Sequence, residues 1–140
     1  MLDKWRVPNG PATHVLMDGG ILCVPPSETE EFYRTCVELI NLGTKLYVVE
    51  QKTEFFKFFI DLDYKAQEKL SDEDLLEFCS IIDEVVDGGR CVIARAHPRP
   101  VKEGIKSGVH VHWPDLIVTR IKALNLRTKI ILELSKLHLS

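Results

Sequence analysis

The sequence predicts an α+β (α/β) fold, with a mixed sheet flanked by helices. Short runs rich in β-branched and aromatic residues recur along the chain, bounded by glycine, proline or acidic turn residues. Between them lie three longer stretches with apolar residues at helical spacing. The resulting order, ββαββαββα, is typical of a sheet covered by helices. A chain of 140 residues has room for one sizeable core, so we expect a single domain over residues 1–140, with an irregular lead-in at residues 1–12.

The first elements are a hairpin and a helix. Apolar residues flank Asp18-Gly19-Gly20, a sequence that favours a tight turn, so residues 14–17 and 21–24 are predicted to pair. Ser27 and Glu30 then have the spacing of a capping box. We expect Ser27 to cap a helix that ends at Gly43.

Two strands and a second helix follow. Residues 44–50 are β-branched and residues 55–63 are strongly aromatic, which favours strands in both. Ser71 precedes three acidic residues, the usual start of a helix, and the buried stripe after it runs to Gly88.

The last third of the chain predicts two strands around a basic loop, then a helix. Residues 91–94 and 109–113 are the strands, the loop spans residues 95–107, and Pro114 is expected to end the second strand. Thr119 caps the last helix. The predicted apolar face of that helix consists of Ile121, Leu124, Ile131, Leu134 and Leu137.

The composition excludes several classes of protein. At 45% hydrophobic and 28% charged residues, the chain is neither disordered nor a coiled coil. No apolar run is long enough to span a bilayer, and no signal peptide opens the chain, so we expect an intracellular protein that is neither secreted nor membrane-bound. The four cysteines form no CxxC pair and are interpreted as reduced, mostly buried thiols.

The charges are divided along the chain. Residues 1–88 carry 8 Lys and Arg against 18 Asp and Glu, whereas residues 89–140 carry 10 against 3. A basic C-terminal part suits an anionic partner such as phosphate. Attraction between the two parts within one fold explains the division equally well.

Asp61 and Asp63 end the most apolar predicted strand. Side chains two residues apart on a strand point to the same face, so both carboxylates project together. Carboxylate oxygens suit Mg²⁺ or Mn²⁺, which also bind substrate phosphates. The alternative is a strand that simply runs into a polar loop.

A second polar pattern surrounds His110 and His112, which share a strand face by the same period of two. Lys106, Ser107 and Gly108 precede them, and a glycine without Cβ lets a phosphate approach the backbone. A phosphate or metal site is one interpretation. A half-exposed strand that happens to carry histidines is the other.

Together the two motifs resemble those of the archaeo-eukaryotic primase, or primase–polymerase, superfamily. The sequence looks most like the primase domain at the N-terminus of primase–helicases of large DNA viruses. The family has a hydrophobic strand ending in DxD, here residues 58–63, then a helix, a strand and a variable loop. A small residue, any residue and a histidine follow on a strand, here Gly108-Val109-His110. The resemblance runs from about residue 45 to the end of the chain.

The resemblance implies an RRM-like catalytic core that transfers nucleotides with two metal ions in DNA replication. Asp61 and Asp63 would hold Mg²⁺ or Mn²⁺, and His110 would complete the catalytic set by contacting the triphosphate. Lys106, and with it Ser107, would add phosphate contacts. By position and charge alone, Arg95, Arg99 and Lys102 would follow a nucleic-acid backbone. The implied partners are nucleoside triphosphates, DNA template or primer, and the remainder of a primase–helicase or a separate helicase chain.

One feature of the family is missing from the sequence. The family's third metal-binding aspartate lies on a later strand, but after His110 the chain offers only Asp115 and Glu133. Asp115 follows too closely, and Glu133 lies on the predicted last helix. We therefore expect an N-terminal portion, a split or decayed gene product, or a domain completed by another chain, with weak polymerase activity or none.

Two other functions are compatible with the residues. A non-catalytic nucleic-acid-binding or scaffold module explains the basic half and predicts exposed aromatic residues on a central strand. A metal hydrolase or cupin-like site could combine the histidines with the DxD pair, but the further ligand that it requires at regular spacing is missing.

Overall fold

The computed structural model describes residues 1–137. It divides into two compact units, Met1–Thr53 and Glu54–Ser140. The single domain expected from the length of the chain stays a prediction, and each unit is described by itself.

The N-terminal unit is a small antiparallel sheet with one helix. Its elements are a 3₁₀ turn Asp3–Trp5, β1 (Arg6–Val7), β2 (His14–Leu16), β3 (Ile21–Leu22), a 3₁₀ turn Pro26–Glu28, α1 (Thr29–Asn41) and β4 (Val48–Glu50). The strand order is β1-β3-β2-β4. The predicted hairpin is β2 and β3, with Val15 opposite Ile21. The core is Leu2, Trp5, Leu16, Leu22, Val24 and Phe32.

The start of α1 differs from the prediction. Pro26–Glu28 forms a 3₁₀ turn, the helix begins at Thr29, and no side chain caps it. The expected capping box at Ser27 is therefore wrong. Pro26 explains the difference, because a proline at the first position favours the tight turn, and the helix then starts at Thr29 and not at Glu28.

The C-terminal unit is an antiparallel sheet with two helices on one face. Its elements are β5 (Phe55–Ala66), α2 (Asp72–Val86), β6 (Val92–Arg95), β7 (Arg99–Val101), β8 (Gly104–Thr119) and α3 (Arg120–Leu134). The strand order is β5-β8-β6, and β7 also pairs with β8. The long β8 is thus the central strand.

β8 is longer than the sequence predicted. Pro114 does not end it, because the register with β5 shifts between Lys57 and Phe59 and the proline lies in the resulting bulge. A bulged position needs no ladder hydrogen bond from its nitrogen, so proline is tolerated there. The predicted basic loop is also wrong in part: β7 and the start of β8 form a hairpin through Lys102 and Glu103.

Both helices pack against the same face of this sheet. The core comprises Phe58, Leu70, Leu75, Phe78, Cys79, Ile82, Val86, Val109, Val111, Trp113, Val118, Leu126 and Ile130. Ser71 caps α2 and Thr119 caps α3, as predicted. The predicted apolar face of α3 is wrong for three residues, because Ile121, Leu124 and Ile131 are exposed while Leu126 and Ile130 are buried.

The α+β class is confirmed, although every strand pair in the described residues is antiparallel and the expected mixed sheet is not observed. All four cysteines are free, but only Cys79 is buried. No helix within residues 1–137 is both long and apolar enough to cross a membrane.

Candidate functional site

Alternate residues of β5 and β8 form a solvent-facing surface, which we call the open face. Successive side chains of a strand point to opposite sides, so the residues between the buried ones share this face. Its members are Phe59, Asp61, Asp63 and Lys65 of β5, Lys106, Gly108, His110 and His112 of β8, and Arg99 of β7. Both sequence motifs therefore lie on one surface, side by side.

Asp61 lies directly opposite His110 in the β5–β8 ladder. The Nε2 atom of His110 is 3.1 Å from Oδ1 of Asp61, and the two side chains are 56% and 63% exposed. Such an arrangement leaves the imidazole and the carboxylate within reach of a ligand.

Asp63 lies two residues further along the same face. Its Oδ1 is 3.0 Å from Nζ of Lys106, whose side chain is only 24% exposed. Lys65 is directly opposite Lys106, and Arg99 of β7 is opposite Lys106 on its other side. The end of the open face beyond Asp63 thus carries three cationic side chains.

Gly108 lies opposite Asp63 and leaves a gap in the open face. A Cβ placed there would be 3.8 Å from Cβ of Ala96 and 4.0 Å from Oδ1 of Asp63, which is ordinary contact. The glycine therefore widens the space beside Asp63, in the manner that the sequence suggested for an approaching phosphate.

The open face also carries a row of stacked rings that the sequence motifs did not predict. His110 and His112 stack with ring centroids 6.3 Å apart, and His112 stacks on Phe59 at 5.8 Å. Phe59 is 51% exposed. The alternation of side chains along β5 puts Phe59 on the same face as Asp61 and Asp63, which the sequence could have predicted. That Phe59 lies beside His112 is determined by the register between β5 and β8.

Two of the predicted residues lie on the opposite, buried side of the sheet. Ser107 is 2% exposed, and its hydroxyl accepts a hydrogen bond of 3.0 Å from the backbone N–H of Leu70. Arg95 donates to the carbonyl of the same Leu70 at 2.8 Å and pairs with Asp72. These side chains hold the segment that leads into α2, and the structure does not bring them to the open face.

The remaining two predicted backbone-binding residues lie on the β7–β8 hairpin. Arg99 is exposed on the open face, opposite Lys106, and Lys102 lies in the two-residue turn that follows β7. Of the three residues predicted to bind a nucleic-acid backbone, Arg95, Arg99 and Lys102, Arg99 lies beside the Asp63–Lys106 pair.

Comparison with known families gives one match. The family described as "C962R protein N-terminal AEP domain" matches residues 13–139, where AEP stands for archaeo-eukaryotic primase. The chain belongs to this family. No curated protein matches it. Membership implies a primase- or polymerase-type nucleotidyltransferase domain, and it extends the likeness to most of the N-terminal unit.

An AEP domain usually uses divalent metals, and the acids of the open face fit one such ion in part. Mg²⁺ is commonly held by one or two carboxylates together with substrate phosphates, and Asp61 and Asp63 supply that number. Within the described part of the chain, no three His, Cys, Asp or Glu side chains converge as a complete metal site.

The structure also shows where the two later acids lie. Asp115 binds Nε of Arg90 at 2.9 Å, and Glu133 binds Nζ of Lys136 at 2.7 Å on α3. Both acids are thus paired with basic residues outside the open face. Within residues 1–137, the acids that lie on the open face are Asp61 and Asp63.

Proposed function

We propose that the chain is the nucleotide-binding part of a primase–polymerase that acts inside the cell in DNA replication, and that its open face is the nucleotide site. The observation that carries the proposal is the β5–β8 register. It places two carboxylates, a histidine and a lysine side by side on one face of the sheet, and these are groups that could bind a metal ion and a triphosphate. Family membership supports the same class of chemistry.

Asp61 and Asp63 would hold Mg²⁺ or Mn²⁺, and the ion would neutralise triphosphate charge and activate the attacking 3′ oxygen. Without such an ion, each carboxylate contacts one nitrogen of β8: Asp61 lies 3.1 Å from Nε2 of His110 and Asp63 lies 3.0 Å from Nζ of Lys106. Because these pairs are partly exposed, breaking them costs little. The carboxylates are therefore available to a metal ion at modest cost.

His110 and Lys106 would bind the triphosphate. Once released from the carboxylates, Nε2–H of His110 and Nζ of Lys106 can donate to phosphate oxygens while remaining on the same face. The site would then exchange its two internal contacts, Asp61–His110 and Asp63–Lys106, for contacts with a metal-bound nucleotide. Arg99 and Lys102 would contact the backbone of a template or primer through charge.

Two carboxylates are enough to bind one metal ion together with a nucleotide, but nucleotidyl transfer with two metal ions would need a further acid. We therefore propose that this chain binds Mg²⁺- or Mn²⁺-nucleotide and polymerises weakly or not at all. A further part of a primase–helicase, or another chain, would then supply the missing acid.

The test is titration calorimetry of a nucleoside triphosphate with and without Mn²⁺. We expect metal-dependent binding by the wild-type chain and loss of that binding in Asp61→Asn/Asp63→Asn. The matched control is Glu73→Gln/Glu77→Gln, which removes two exposed carboxylates from α2. It should bind as the wild type does, because those side chains are on the other side of the sheet.

If wild type and both variants bind equally, or none binds, the nucleotide site is not on the open face. A second function would then be favoured by one observation, the exposure of Phe59 (51%) on β5. Exposed aromatic residues are expected of a non-catalytic nucleic-acid-binding module. Metal-independent binding of an oligonucleotide without any binding of nucleoside triphosphate would support it.

A further inference from the structure

Phe59 begins a row of three rings on the open face. Its ring stacks on His112 with an interplanar angle of 22°, and His112 stacks on His110 at 21°. The three rings, one from β5 and two from β8, are therefore nearly parallel to one another. At the far end of the row, Nε2 of His110 lies 3.1 Å from Oδ1 of Asp61.

Within the described residues of the C-terminal unit, the row is partly open to solvent. Phe59 is 51% exposed, and Val92 of β6, opposite His112 in the ladder, is 56% exposed. By contrast Phe58, the preceding residue, is 2% exposed and lies 5.2 Å from the ring of Trp113. The protein therefore buries one phenylalanine of the pair and leaves the next in water beside a histidine.

The charges of the open face indicate what such a surface binds. Lys65, Lys106 and Arg99 lie together at the other end of the same face, beyond Asp61 and Asp63, and Lys106 pairs with Asp63. Phe59 and Lys65 are six residues apart on β5, or about 20 Å at the usual rise of an extended strand. Flat rings at one end and cations at the other match the bases and phosphates of a short nucleic-acid segment.

We propose that Phe59 and His112 form a stacking platform for an unpaired base of single-stranded nucleic acid, with Lys65 and Arg99 following its backbone. A single strand is favoured over a duplex, because paired bases are stacked on each other and present no free ring to a side chain. This inference rests on the proposed function, since it assigns the template or primer strand to the same face as the nucleotide.

The test measures fluorescence anisotropy of a labelled oligothymidylate and of an abasic oligomer of equal length, both in EDTA. The wild-type chain should prefer the oligomer with bases. Phe59→Leu should weaken binding of oligothymidylate about tenfold, since one base–aromatic stack is lost, and leave abasic binding unchanged. His112→Ala should show the same pattern with a smaller loss, whereas Phe59→Trp should keep or raise the preference.

Phe55→Leu is the matched control, because it removes another exposed phenylalanine from the same strand. It should bind both oligomers as the wild type does. Circular dichroism confirms folding, and Phe59→Trp keeps the test valid if Phe59→Leu is unstable.

Two results would overturn the platform. One is equal binding of oligothymidylate by wild type, Phe59→Leu and His112→Ala. The other is a loss of Mn²⁺-dependent nucleoside triphosphate binding in Phe59→Leu with unchanged oligothymidylate binding, which would assign the rings to the base of the incoming nucleotide. Because the oligomers are measured in EDTA, failure of metal-dependent nucleotide binding leaves this measurement intact and separately interpretable.

Discussion

The two faces of the β5–β8 pair are built from alternate residues of the same strands, and they differ in almost every physical property. On the face toward the helices, Val109, Val111 and Trp113 are at most 1% exposed. On the open face, Asp61 and His110 are more than half exposed and paired with each other. In this unit, then, one residue of a strand packs in the core and stabilises the fold, while the next residue lies on the face that carries the candidate site. Substitutions of neighbouring residues should therefore have opposite consequences.

The largest expected difference is between Phe58 and Phe59. Phe58→Ala should destabilise the chain by about 3–5 kcal/mol, because it leaves a cavity beside Trp113 in the core. Phe59→Ala should cost less than about 1 kcal/mol, since half of that ring is already in water. Urea unfolding of both variants measures the difference. Equal losses of unfolding free energy would show that the two faces are not distinct.

Strand parity accounts for what the sequence could and could not predict about the site. Asp61, Asp63, Lys106 and His110 share a face by the period of two, and the structure places them together. The same alternation puts Ser107 on the buried face, so its position could have been predicted from the sequence. Ser107 was expected to contact phosphate only because it is next to Lys106 in the sequence.

Arg95 is different, because its direction depends on pairing with another strand. It lies opposite Val109, whose side chain is in the core, and no local pattern specifies that register. Likewise, the bulge that accommodates Pro114 arises from the pairing of β5 with β8. The α3 face was mispredicted because the helix is apolar on several sides, and tertiary packing selects Leu126 and Ile130. The sequence thus predicted most of the elements and the motif face, but it did not predict β1 in the expected irregular lead-in or β7 in the expected loop, and long-range register determined the rest.

Lys106 and Ser107 sharpen the contrast at neighbouring positions of β8. Ser107→Ala should cost about 1–3 kcal/mol of unfolding free energy, because the buried N–H of Leu70 loses its acceptor. Nucleotide binding by the folded fraction should be unchanged. Lys106→Gln should do the reverse, with little loss of stability and weaker Mn²⁺-nucleotide binding by calorimetry. A Ser107→Ala variant that is stable but does not bind nucleotide would restore the phosphate contact predicted from the sequence.

Arg95 and Arg99 allow the two faces of the sheet to be compared with the same type of side chain. Arg95→Gln should lower the unfolding free energy by about 1 kcal/mol, because the carbonyl of Leu70 loses a charged donor. Arg99→Gln should leave stability unchanged and reduce the salt dependence of oligonucleotide binding by about one phosphate contact. Unfolding curves and anisotropy titrations at several salt concentrations test both. If Arg95→Gln alone changes the salt dependence, the nucleic acid contacts the other side of the sheet.

The smallest expected effect concerns a buried histidine, His14 of the N-terminal unit, as opposed to the exposed pair on the open face. Burial lowers the pKa of His14 below its ordinary value, although Glu50 nearby opposes the shift. The unfolded chain therefore binds a proton at a higher pH than the folded chain does. This contribution to stability is fully present above the unfolded pKa, near 6.5, and is lost as the pH falls from there through the folded pKa.

The measurement is the thermal unfolding midpoint of the wild-type chain and of His14→Gln between pH 7.5 and 5.5. Other carboxylates and histidines titrate in both proteins, so the difference between the two curves isolates His14. We expect the wild type to lose more stability than the variant on acidification. Parallel curves would contradict the lowered pKa and would indicate that the side chain of His14 is as accessible to solvent as those of the open face.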